Sequence, residues 1–148
     1  MTTTAPTVNG RVIALAHYAA RALLEGVLAR HGATFHQSVT LRVVMVEGGS
    51  IGYGELVRDV TGSLKTDESV VRAVIEELTA AELLEEDPAE GSRMRLTDAG
   101  RELYEGTTAE TAEISARLYA GIPAEDLAVA GRVLALITER ANAELANA

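Results

Sequence analysis

Two sets of side chains in this 148-residue sequence have the types and spacing to do chemistry. In the first, His17 and Arg21 are four residues apart, so a helix would carry them on one face, with Tyr18 beside them. Phe35 and His36 are adjacent, and Arg42 follows about two helical turns later. An arginine with two imidazoles can hold a carboxylate through charge-assisted hydrogen bonds, and the aromatic rings can stack on a flat ligand. The plainer alternative makes His17 and His36 ordinary polar groups at a helix junction, satisfied by backbone or by each other. In the second set, Ser63, Lys65, Thr66, Ser69 and Arg72 are close together, and Arg93 and Arg95 follow later in the chain. Positive charge suits phosphates, and side-chain donors suit base edges.

Other chemistries find little support. The chain has no cysteine, which excludes disulfides, thiol catalysis and thiol redox sensing. His17, His31 and His36 lie at no zinc-site spacing and have no carboxylate cluster near them in sequence, so no metal is expected. His17, Tyr18 and His36 could act as general acid or base. No nucleophile–base–orienter spacing and no cofactor motif accompanies them, so the expectation is no enzyme, no catalytic residue and no cofactor. Met1 to Asn9 is Thr-rich and lacks the basic-then-apolar order of a signal peptide. Val12 to Leu28 is the most apolar stretch, but His17, Arg21 and Glu25 interrupt it, so no membrane span and a cytoplasmic location are expected.

The elements that would position these residues follow from periodicity and punctuation. Val12 to Arg30 reads as a helix apolar nearly all round, which must be buried nearly all round, and Gly32 stops it. Phe35 to Glu47 reads as a second helix, with Val39, Leu41, Val43, Val44 and Val46 as its apolar surface and Gly48-Gly49-Ser50 as its end. Ile51 to Val60 holds a short third helix, and Gly62 and Ser63 make a turn. Thr66 caps a fourth helix to about Ala81, with Val70, Val74 and Leu78 on one stripe and Val71 and Ile75 beside it. Helix, tight turn and capped helix form a helix-turn-helix pattern. Leu83 to Glu86, the turn-rich loop Asp87 to Ser92, and Arg93 to Leu96 read as a hairpin wing. Thr97 caps a long fifth helix from Asp98 to about Tyr119, Gly121-Ile122-Pro123 breaks it, and Ala124 to Glu144 is a sixth helix.

This order of elements resembles the MarR family across nearly the whole chain. Leu96-Thr97-Asp98-Ala99-Gly100-Arg101 is similar to the family's turn after the wing. Val70 to Leu84 resembles its recognition helix and following strand, and Gly121 to Leu127 the break before its last helix. The resemblance implies a mainly α fold: a winged helix-turn-helix with N- and C-terminal dimerisation helices, six helices and a short β-hairpin wing. It implies a single domain over 1–148, with the winged lobe at about 35–97 and dimerisation helices at about 10–31 and 98–146. It implies a ligand-responsive repressor that binds double-stranded operator DNA as a homodimer through Ser63, Lys65, Thr66, Ser69, Arg72, Arg93 and Arg95. A small aromatic or anionic ligand is expected at His17, Tyr18, Arg21, Phe35, His36 and Arg42, between the first two helices and the winged lobe.

Three positions and the wing tip depart from the family pattern. Ala73 stands where an arginine is usual, Glu68 where a basic residue is frequent, and Glu82 where a glycine precedes the first wing strand. Glu90-Gly91-Ser92-Arg93 only loosely replaces the aspartate-x-arginine of the wing tip. The formal net charge is −9, and Ile51 to Tyr104 carries thirteen acidic residues against six basic ones. That imbalance supports an alternative: a MarR-fold protein that has lost DNA binding and acts through its small-molecule pocket, as a ligand binder or an unusual enzyme. A third reading is a protein-interaction module using the acidic wing surface.

Overall fold

The computed structural model describes residues 4–148. The elements are α1 (Gly10–Arg30), α2 (Phe35–Val46), β1 (Ser50–Gly52), α3 (Tyr53–Leu64), α4 (Glu68–Ala80), β2 (Leu84–Glu86), β3 (Arg93–Leu96), α5 (Asp98–Tyr119) and α6 (Ala124–Ala146). They divide into two compact units, one ending at Glu113 and the other running Ile114–Ala148.

The first unit is built on one aliphatic core. Leu41 and Val44 of α2, Leu56, Val57 and Val60 of α3, and Val71, Val74, Ile75 and Leu78 of α4 meet Ile51, Leu84, Met94 and Leu96 from the strands. Two side chains expected to contribute do not. Val70 is exposed, because the buried stripe of α4 runs through 71, 74, 75 and 78, and Val46 at the end of α2 is 71% exposed. The sheet has three strands rather than a two-stranded hairpin: β3 lies between β1 and β2, antiparallel to both. Ile51 pairs with Met94 and Leu84 with Leu96, which puts these apolar side chains on the core face.

Local signals explain the helix ends. Asn9 accepts from Val12 N at the start of α1, and Thr34 and Gln37 form a reciprocal capping box on α2. Gly48 and Gly49 both adopt positive φ and end α2. The turn between α3 and α4 is not where Gly62 and Ser63 suggested. Both lie inside α3, and the chain turns at Lys65, which is left-handed at φ 55. Lys65 Nζ donates to the Gly62 carbonyl, satisfying one of the free acceptors at the end of α3. Asp67, not Thr66, is the N-cap of α4, and no side-chain capping bond forms there.

The wing joins α5 through a compact clasp. Thr97 Oγ1 donates to the Glu82 carbonyl at 2.7 Å and accepts from Gly100 N at 3.0 Å, so Thr97 caps α5 as its position suggested. Glu82 takes φ 59, the left-handed region that a glycine would enter without strain. Gly100 packs so closely that a Cβ there would lie 2.0 Å from the Leu83 carbonyl oxygen. Within the same unit, Glu110 of α5 holds the end of α1: Arg30 Nη2 and His31 Nε2 each approach its carboxylate to 2.9 Å. The His31 hydrogen bond first, and Arg30 second, hold the Glu110 pKa below its ordinary value. A carboxylate lowered on folding contributes stability above its unfolded pKa, and the contribution is lost as pH falls through the folded value.

α1 differs from expectation. Only Val27 and Leu28 near its C-terminus are buried, while Leu15, Tyr18 and Leu23 are exposed. In the second unit, α6 has no buried residue and exposes Val129, Leu134, Leu136 and Ile137. In a single chain, these apolar surfaces lack the covering that their composition calls for.

Gly100→Ala forces a Cβ against backbone and should cost at least ~2 kcal/mol of stability. Gly106→Ala, on the same helix with nothing within 4 Å of the new Cβ, should instead stabilise by about 0.5–1 kcal/mol. Urea midpoints of the two variants check the pair; equal shifts would show that the Gly100 contact is unimportant.

Candidate nucleic-acid surface and ligand junction

The helix-turn-helix presents its polar side chains from three places. Ser63 is exposed on the last turn of α3, and Lys65 is exposed at the left-handed turn. Thr66 is half-buried in the connection to α4. Ser69 and Arg72 are exposed on the first turns of α4, one helical turn apart. The wing adds Arg93, the first residue of β3, and Arg95 in the same strand. Both arginines alternate with buried Met94 and Leu96, so they face away from the core.

Each of the three arginines is tied to a carboxylate. Arg72 Nη2 lies 3.4 Å from Glu68 Oε2, and its Nη1 donates to the Tyr53 hydroxyl at 3.4 Å, with the guanidinium 5.5 Å from the Tyr53 ring centre. The Tyr53 hydrogen bond first and the Glu68 hydrogen bond second push the Arg72 pKa up, so it stays charged throughout the working pH range. Arg93 Nε donates to Ser50 Oγ at 3.2 Å and lies 3.9 Å from Glu90. Arg95 Nε donates to Glu85 at 2.7 Å, across the β2–β3 pair. These pairs are solvent-accessible, and exposed ion pairs are weak enough for a phosphate to displace. They hold the arginines in place without burying them.

Glu68 stands where the resemblance implies a basic residue, and it serves as an i,i+4 partner that steadies Arg72. Tyr53 carries no sequence signal of its own. It is nineteen residues from Arg72, and only the packing of α3 on α4 brings them together.

The six residues expected at the ligand junction are only partly brought together. Arg21 of α1 places its guanidinium 4.0 Å from the centre of the Phe35 ring at the start of α2, and its Nε bonds Glu25 at 3.1 Å. Phe35 meets His36 edge-on, with ring centres 6.1 Å apart. His17 and Tyr18 are exposed, with ring centres 6.1 Å apart. No hydrogen bond or ring contact joins His17 to His36 among the described residues. Arg42 is exposed and has no ion-pair partner among the described residues. The junction therefore centres on an arginine stacked over a phenylalanine, with His36 at its edge. Among the described residues no group of three or more His, Cys, Asp or Glu is arranged to hold a metal ion.

No protein-family profile matches the sequence, and no curated protein matches it. Solved structures do. A MarR-family transcriptional regulator from Rhodococcus sp. RHA1 matches with a TM-score of 0.73 at 18% identity, over 87% of this chain and 92% of that one. BpsR of Bordetella bronchiseptica, whose DNA binding is regulated by 6-hydroxynicotinic acid, gives 0.68 at 24% identity over 87% and 97%. A mutant of MarR from E. coli complexed with operator DNA gives 0.70 at 17% identity over 86% and 91%. The chain thus has the MarR winged-helix fold that its residue patterns implied.

If the α1–α2 junction takes a planar acid, Arg21→Ala should weaken that acid roughly 10-fold or more, because a charge-assisted hydrogen bond is lost. A thermal-shift screen of aromatic acids finds the ligand, and calorimetry on the variant measures the loss. Unchanged affinity for the best hit would remove Arg21 from the site.

Proposed function

We propose that this chain, built on the MarR winged-helix fold, is a cytoplasmic ligand-responsive transcriptional regulator without enzymatic activity. It acts over 1–148 as one functional domain, a homodimeric repressor of operator DNA. It releases the DNA when a small aromatic or anionic ligand occupies the α1–α2 junction. The observation that carries this reading is the exposed Ser69–Arg72 face of α4, with Lys65 exposed at the turn before it and outward arginines on β3, on a fold whose E. coli neighbour is complexed with operator DNA. BpsR, whose DNA binding 6-hydroxynicotinic acid regulates, supports the ligand response. A route for coupling exists within the first unit: α2 contributes Leu41 and Val44 to the core beneath α4, and Gln37 of α2 donates to Glu77 of α4 at 3.0 Å. A ligand that shifts α2 would therefore move the recognition helix.

A second reading is favoured by the acid excess between Ile51 and Tyr104 and by the carboxylate tied to each arginine. On that reading the winged helix is retained for shape, and the protein acts through its small-molecule site.

On the first reading, Arg72 reads a base edge in the major groove and Arg93 enters the minor groove beside the wing. Few phosphates can be neutralised, each adding about 0.9 to the log–log salt slope, so binding should be weak and shallow in salt. Arg72→Ala should lower affinity by roughly 10-fold and relax preference at one position per half-site. Fluorescence anisotropy against the DNA upstream of its gene and against a scrambled duplex checks this; no preference at low salt from folded protein would favour the second reading.

The uncovered apolar faces of α1 and α6 call for a partner chain. Burying them in an interface of ordinary size, at about 25 cal/mol per Å², supplies ample stabilisation. Light scattering should give the mass of two chains at micromolar concentration. Leu134→Glu combined with Ile137→Glu, which charges the exposed face of α6, should give monomers or loss of structure. A wild-type monomer would remove both the dimer and the palindromic operator.

A further inference from the structure

A cavity of about 410 Å³ opens between α4 and the sheet, away from the α1–α2 junction. Its volume falls within the ~300–1,000 Å³ range of small-molecule clefts. The wall is apolar and aromatic: Ile75, Ala80, Met94 and Tyr53. Two carboxylates, Glu76 and Glu86, also line it, and none of the lining residues is basic.

The placement of both acids follows from the fold. Glu86 pairs with Met94 in the β2–β3 ladder, so strand alternation puts it on the same face as the buried Leu84 and Met94. It stands where the core gives out toward the wing. Glu76 and Ala80 lie four apart on α4 and share a face of the helix. The neighbouring acids are engaged: Glu68 with Arg72, Glu77 with Gln37, Glu85 with Arg95 and Glu90 with Arg93. Among the described residues, Glu76 and Glu86 take part in no ion pair.

We propose that this cavity binds a small organic cation with an apolar or aromatic body, an amine or amidine whose charge is met by Glu76 and Glu86. An aromatic acid of the kind expected at α1–α2 would be repelled here, so the two sites select ligands of opposite charge. Tyr53 forms part of the wall, and its hydroxyl accepts from Arg72. An occupant that turns Tyr53 therefore moves the arginine assigned to base reading. As an effector site the cavity rests on the regulator reading above; as a binding site it does not.

The test uses the full-length protein and three compounds of one shape: biphenyl-4-ylmethylammonium, biphenyl-4-ylmethanol and biphenyl-4-carboxylate. Calorimetry should show the ammonium binding at least about 10-fold tighter than the alcohol, with the carboxylate weakest. Glu76→Gln with Glu86→Gln, both exposed and so tolerant of change, should abolish the preference for the ammonium and leave the alcohol unaffected. With methyl-labelled methionine, the Met94 resonance should shift along the same titration while that of Met45 stays in place. Equal affinity for ammonium and carboxylate, an undiminished preference in the double variant, or a static Met94 signal would each overturn the proposal. Adding the ammonium to the anisotropy assay separates the two readings. Cation binding with no DNA binding leaves the cavity standing and removes the regulator; DNA binding with no cation binding does the reverse.

Discussion

The structure of the first unit depends on the contact between Gly100 and the Leu83 carbonyl. The wing returns from β3 directly into α5, and the chain must pass close to the end of α4 to do so. Thr97 fixes that passage by using one hydroxyl twice, as donor to Glu82 and as acceptor from Gly100. The close approach of α5 requires the absence of a side chain at 100. With this clasp made, β2 and β3 are held in register, Leu84 and Leu96 face the core, and α4 is backed by a sheet. The exposed face of α4, which carries Ser69 and Arg72, is positioned as a consequence.

The electrostatic arrangement is the second organising feature. A surface with so many acids would repel DNA if they were scattered evenly. Instead, the acids nearest the outward arginines are paired with them, so that Arg72, Arg93 and Arg95 are held in place and partly neutralised. Such exposed pairs are labile, so on the regulator reading a phosphate would have to compete with a resident carboxylate. Glu76 and Glu86 remain outside this pairing and give the neighbouring cavity its negative character.

The aliphatic character of the chain has opposite consequences in the two units. In the first, Leu, Val and Ile from three helices and three strands close a core without a Trp or Phe. In the second, α6 buries none of its apolar side chains fully and leaves Val129, Leu134, Leu136 and Ile137 exposed. A helix of that composition has little reason to persist alone in water, because helical stability in proteins comes mainly from packing an apolar face. The proposed homodimer follows from that composition.

Local rules along the chain specify the number and order of the helices, their approximate ends and the presence of a wing. Those features rest on local rules: the 3.6-residue apolar repeat of α4, the glycines after α2, the Thr97 cap, and the break at Gly121-Ile122-Pro123. Tertiary structure decided what local rules cannot reach. Ser50–Gly52 is too short to show alternation, so β1 became visible only through its pairing with β3. Gly62 and Ser63 point to a turn, yet the chain turns at Lys65, because core contacts made by α3 outweigh the local preference of glycine for turns. Residue type and spacing mark Arg21 and Phe35 as candidates, but their stacking depends on how α1 meets α2, and the same packing gives His17 and His36 different ring partners. Tyr53 and Glu86 carried no signal of their own, since each acquires its role from residues distant in the chain. Spacing along a helix or strand fixes which side chains share a face, but only packing fixes what that face meets.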